Sequence, residues 1–189
     1  MTEIRVVTDS PLPAERVLAA ARDFSLRRAK VFPAVRIDHF EVHDLGDDWA
    51  DVTEGTPAGI GINWERCRYD WSQPGSVKAT VTSSNVYAPS SSSWEMRATT
   101  TDAGSRVEMI WRREFTSSTR GRVFGTLFRL IGKPILRRYA RDTLENLRQL
   151  EQPRPIARFK LATRKRAGET GCHERGLHGP RYGRGPSSS

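Results

Sequence analysis

Glu65, Tyr69 and Arg113 lie on strand lanes that otherwise carry large apolar side chains, with Asn63 as a further polar neighbour. A carboxyl group surrounded by apolar side chains is pushed to a higher pKa and can move a proton, while Arg or Tyr can orient a carbonyl or stabilise an enolate. If the chain is an enzyme, Glu65 and Arg113 are its candidate catalytic residues. The competing reading is an ion pair between them at a cavity mouth, or simple exposure at strand ends.

Around these groups, Tyr69, Trp71, Trp94, Met96, Met109 and Trp111 from the strands, with Phe124 and Phe128 from a helix, form a candidate ligand-binding wall. Cys67, Val81 and Ile131 extend it. Aromatic and Met side chains offer large contact area and adjustable packing, which suits a deformable apolar cavity, although the same types build ordinary cores. His39 and His43 flank Glu41 on one strand face, but no further ligand converges with them, so a solvated face is expected and no metal site. Cys172, His173 and His178 fall in a segment with nothing to hold them rigid. There is no P-loop, dinucleotide fingerprint or nucleophile elbow, and no cofactor is implied.

The elements that must position these residues follow from periodicity. Ile4–Thr8 reads as a short strand, and Pro13 starts a helix reaching about Ala21. Ser25–Phe32 reads as a second helix stopped by Pro33, with Leu26, Ala29 and Phe32 inward. Six strands then follow with turn residues between them: Ile37–Leu45, Trp49–Thr56, Ile62–Ser72, Val77–Tyr87, Ser93–Thr101 and Arg106–Thr116. Such a series is an antiparallel meander. In the Ile62 strand, Cys67, Tyr69 and Trp71 are placed inward, because the opposite lane holds Arg66 and Arg68, which are easier to solvate than to bury. Apolar residues at helical spacing from Arg120 to Glu151 make a long closing helix, with a kink or break expected at Gly132-Lys133-Pro134.

This layout resembles the START-like, or SRPBCC, superfamily, most closely the polyketide cyclase/dehydrase proteins. The resemblance rests on the opening strand, the Pro13 helix, the strands ending in Ser105-Arg106-Val107-Glu108 and the terminal helix. It implies an α+β helix-grip (Bet v 1-like) fold over residues 1–151, a curved antiparallel sheet wrapped around the long C-terminal helix. It also implies a cavity for a hydrophobic small molecule such as a lipid or polyketide. Binding, with transport as an extension of it, is the first functional reading, and a polyketide cyclase/aromatase-type enzyme is the alternative. No catalytic string carries over residue by residue.

The net charge of +9 is concentrated in residues 152–189, where nine basic residues stand against Glu169 and Glu174. Rich in Arg, Gly, Pro and Ser, this tail is expected to be disordered, either as a solubilising extension or as the chain's only route to nucleic acid, a third reading. The near-neutral remainder argues against a dedicated nucleic-acid module. An Arg-rich stripe on the last helix suggests peripheral contact with an anionic membrane. Two cysteines, Cys67 and Cys172, give no disulfide framework. Without a signal-like opening or a run of roughly 20 apolar residues, a soluble cytoplasmic protein is expected.

Overall fold

The structure, a computed structural model, describes residues 1–57 and 61–152. Strand β1 spans Thr2–Ser10 and leads through Pro11–Pro13 into helix α1, Ala14–Arg22. Pro13 sits at the N-cap with φ −57°, and its carbonyl accepts from the Arg16 amide at 3.0 Å. A proline loses nothing there, since the first amides of a helix have no intrahelical partner. Val17, Leu18 and Ala21 form the buried stripe of α1.

Helix α2 is only Arg28–Val31, shorter than the Ser25–Phe32 helix expected. The Ser25 hydroxyl accepts from the Arg27 amide at 3.2 Å, a local bond that competes with the first helical turn. The inward set also differs, with Leu26 72% exposed and Arg28 only 2% exposed. A 3-10 turn at Ile37–His39 precedes β2, Phe40–Leu45, so His39 lies outside the strand and apart from His43. His43 Nε2 instead lies 2.7 Å from Thr53 Oγ1 on an exposed face.

Five further strands follow: β3 Trp49–Pro57, β4 Ile62–Asp70, β5 Ser76–Ser84, β6 Ser93–Thr101 and β7 Gly104–Arg113. Together they make one seven-stranded sheet of order β1-β7-β6-β5-β4-β3-β2. Strands β2 to β7 form the expected meander, and β1 returns to pair antiparallel with β7, setting Ile4 opposite Trp111 and Val6 opposite Met109. The register slips by one residue between Arg66 and Cys67, leaving Thr82 of β5 unopposed, and slips again at His43. Bulges of this kind bend a sheet. Alternation places Ala50, Val52, Cys67, Tyr69, Val81, Met96 and Met109 inward and buried. Outside, Asp51 holds Arg66 at 2.8 and 2.6 Å and Arg68 lies 3.2 Å from the Trp49 ring centre, so both guanidinium groups are satisfied without burial.

Helix α3 spans Thr119–Glu151, and the Ser118 hydroxyl caps it by accepting from the Gly121 amide at 3.0 Å. The helix runs through Pro134 without a break at the Gly132-Lys133-Pro134 segment, where a kink or a break was expected. Pro134 is exposed, so the Leu130 carbonyl that it leaves unpaired can be satisfied by water. Gly132 faces the sheet, where a Cβ would stand 2.8 Å from Ile4 Cδ1, and its lack of a side chain lets α3 approach β1. The C-terminal half packs Ala140, Leu144 and Leu147 into the core, and Asn146 donates to the Val31 carbonyl at 3.3 Å. Apart from Gln152 at the end of α3, the basic tail and its expected disorder lie outside the described residues.

Candidate functional site

Between the concave face of the sheet and the N-terminal half of α3 lies a cavity of about 370 Å³. Its apolar wall comes from Phe32 and Val35 beyond α2, Trp94 and Trp111 on β6 and β7, and Phe124, Phe128 and Leu136 on α3. Trp94 and Trp111 are cross-strand partners, and Tyr139 meets Trp111 edge-on at 6.0 Å. This volume lies within the range of small-molecule pockets.

The polar part of the wall is a row of four charges. Glu54 of β3 and Glu65 of β4 stand directly opposite each other in the sheet register. Each carboxylate has its own buried guanidinium, delivered from elsewhere in the chain. Arg28 reaches Glu54 through Nε, donates from Nη2 to the Tyr69 hydroxyl at 3.0 Å, and donates from Nη1 to the Ala21 carbonyl at 3.1 Å. The Tyr69 hydroxyl in turn donates to Glu54 at 3.0 Å. The Phe24 and Phe32 rings each lie 4.6 Å from the Arg28 guanidinium centre, so its faces meet π-systems while its edges are hydrogen-bonded. At the other end Arg113 grips Glu65 bidentately at 2.7 and 3.1 Å and lies 4.2 Å from the Tyr87 ring centre.

Burial works against both guanidinium charges, but the facing carboxylates outweigh it and hold both pKa values above the ordinary Arg range. Burial pushes the Cys67 thiol and the Tyr69 and Tyr87 phenols upward, with the nearby carboxylates adding to the rise. Cys67 is therefore held as the neutral thiol at physiological pH, which does not suit a nucleophile. The two Glu oxygens that would accept a substrate proton at Glu65 already accept from Arg113. At the rim Arg120 donates to Asn63 Oδ1 at 2.8 Å and to the Ile62 carbonyl at 2.8 Å, tying the start of α3 to β4. Among the described residues no group of three or more His, Cys, Asp or Glu side chains is placed to hold a metal ion.

Of the residues singled out in the sequence, Glu65, Tyr69, Trp94, Trp111, Arg113, Phe124 and Phe128 all border this one cavity, as does Cys67. Trp71, Met96 and Met109 do not. Met96 and Met109 are partners one pair further along the same inward lane, where α1 covers β6, and they are fully buried there. Trp71 follows the end of β4, stacks on Phe24 at 6.0 Å and donates through Nε1 to the Asp47 carbonyl at 3.0 Å. Val81 is plain core and Ile131 is exposed on α3. The sequence reading missed Arg28, Glu54, Tyr87 and Tyr139. Glu54 had a visible signal, since it continues the Ala50, Val52 lane of β3. Arg28 had one too, framed by Phe24 and Phe32 four residues to either side.

Solved structures with this architecture share little sequence with the chain. TTHA0849 from Thermus thermophilus superposes with a TM-score of 0.66 at 14% identity, covering 80% of this chain and 100% of that one. Zhui aromatase/cyclase from Streptomyces sp. R1128 gives 0.64 at 16% identity, covering 79% and 95% respectively. A START superfamily protein from Mycobacterium smegmatis gives 0.52 at 8% identity, covering 78% and 92%. These likenesses show the helix-grip fold. No curated protein matches the chain by sequence. The sequence profile described as "Polyketide cyclase / dehydrase and lipid transport", however, matches residues 1–150. That span takes in every strand and nearly all of α3, and so all the walls of the cavity: the chain belongs to the polyketide cyclase/dehydrase and lipid-transport family.

Proposed function

We propose that the protein binds a hydrophobic small molecule, a lipid or a polyketide, in the cavity under α3. The observation that carries this reading is the composition of the cavity: an aromatic wall at Trp94, Trp111, Phe124 and Phe128 facing a polar row at Arg28, Glu54, Glu65 and Arg113. A ligand with an apolar body and one or two carbonyl or hydroxyl groups fits both walls, burying its body while its polar end exchanges hydrogen bonds with side chains already held in place. The family's description, which joins polyketide chemistry to lipid transport, supports the same class. The test is native mass spectrometry of the purified protein after incubation with a lipid extract. Retained ligand that is lost in Trp94→Ala and Trp111→Ala variants agrees with the reading, whereas an empty protein under all conditions overturns it.

Cyclisation of a bound polyketide is the second reading, favoured by the Arg113–Glu65 pair in the cavity wall and by the aromatase/cyclase among the similar folds. Arg113 would hold a substrate carbonyl and stabilise the enolate while Glu65 moved the proton. On this reading Glu65→Gln and Arg113→Ala abolish turnover of a polyketide substrate, with circular dichroism confirming the fold. Unchanged product formation in both variants removes the pair from any reaction.

A further inference from the structure

The N-terminal half of α3 has a second apolar face, directed away from the cavity. Val123, Leu127, Leu130 and Pro134 recur at spacings of four, three and four, which places them on one stripe of the helix. All four are exposed, Leu130 at 73%, and Ile131 and Ile135 widen the stripe toward the cavity wall. From Thr119 to Arg141 the chain holds seven basic residues and no acidic one. Arg138 pairs with Asp142 at 3.5 Å and Arg120 is engaged by Asn63, but among the described residues no carboxylate pairs with Arg122, Arg129, Lys133, Arg137 or Arg141. A soluble helix ordinarily turns polar residues outward, so exposed leucines in a field of unpaired cations mark a surface built for a partner.

We infer that this face docks on an anionic lipid bilayer. The stripe would insert below the headgroups while the flanking Arg and Lys side chains meet lipid phosphates, the arrangement of an interfacial amphipathic helix. The heptad-like spacing would also suit a second copy of the helix, but pairing two such segments brings together two runs of like charge without a compensating carboxylate. Nucleic acid would account for the cations but not for the exposed leucines. Ile135 is 55% exposed and also borders the cavity, so one flank of the docking stripe adjoins the cavity wall. The inference stands on the helix face and does not depend on what the cavity binds.

Co-sedimentation of the full chain with phosphatidylglycerol–phosphatidylcholine vesicles, and with phosphatidylcholine vesicles alone, tests it. Binding is expected only to the anionic vesicles. The basic tail is present throughout and could bind them through charge alone, so a Leu127→Asp/Leu130→Asp variant decides the matter. Both side chains are exposed and their replacement leaves the core untouched. This variant should bind about tenfold more weakly or worse, and Arg129→Gln/Lys133→Gln/Arg137→Gln should lose a similar factor. Wild-type binding by the leucine variant, absence of binding by the native chain, or equal binding to neutral vesicles overturns the inference. So does sedimentation velocity showing a dimer that the leucine variant abolishes and vesicles do not compete for.

Discussion

Arg28 shows how much a single buried side chain can hold together. It links α2 to β3 and β4 through Glu54 and Tyr69 and is enclosed by two phenyl rings. Arg28→Met removes one member of a buried pair and leaves the Glu54 charge without its partner, so a loss of about 3–5 kcal/mol is expected in chemical denaturation. Arg28→Met/Glu54→Gln should recover most of that loss, and a double variant no more stable than the single would show that the two charges are not coupled. The buried acids make a second prediction. Cys67, Tyr69 and Tyr87 have pKa values raised by burial, so they keep their protons in the folded chain where the unfolded chain has released them. The unfolded state then binds fewer protons, and stability falls as pH rises, beginning above about 8.5 for the thiol and about 10 for the phenols. Below those values the contribution is fully present. Urea midpoints measured from neutral to alkaline pH should fall, and Cys67→Val should remove the earlier part of the decline; a flat profile contradicts it. At this scale the sequence disclosed Glu65, Tyr69 and Arg113 through strand alternation. It concealed Arg28 because the rule that placed Arg66 and Arg68 outside, that guanidinium groups avoid burial, fails when a carboxylate and aromatic faces await the charge.

Elements were legible where period and punctuation agreed. The β6 strand was expected at its observed limits, and the meander order followed from turn residues between alternating runs. Two elements deviated for local reasons. Helix α2 starts late, after the Ser25 hydroxyl has accepted from the Arg27 amide, and α3 continues through Pro134, whose exposure lets water satisfy the carbonyl it leaves free. The turn between β6 and β7 gives a sharp test. Gly104 has φ +134°, and a Cβ there would run into the Ser10 carbonyl at the end of β1. Gly104→Ala therefore meets both a backbone conformation that L-residues avoid and a rigid obstacle. A loss of about 2–3 kcal/mol is expected, read as a lowered thermal midpoint. A variant as stable as the native chain would mean that the turn relaxes freely.

For the molecule as a whole, the fold was readable from the order of elements, but the cavity was not. Trp94 and Trp111 could equally have filled the space beneath α3, since the same aromatic types serve as core and as pocket wall. What separates the two outcomes is the spacing between helix and sheet. The contact of Gly132 with Ile4, which lets α3 approach β1, is one determinant of that spacing and has no periodic signature. The pairing of β1 with β7 has a consequence for how the chain comes to be folded. Thr2 finds its partner in Arg113, so strand β1 has nowhere to dock until the residues through β7, more than a hundred positions later, have left the ribosome. Contacts so distant in sequence slow folding, and Ile4 and Val6 remain open to the surroundings in the meantime. Stalled nascent chains ending before Gly104 should accordingly be cut by protease near Val6, and chains extended beyond Glu151 should resist. Early protection in the shorter chains would mean that the first strand has another resting place.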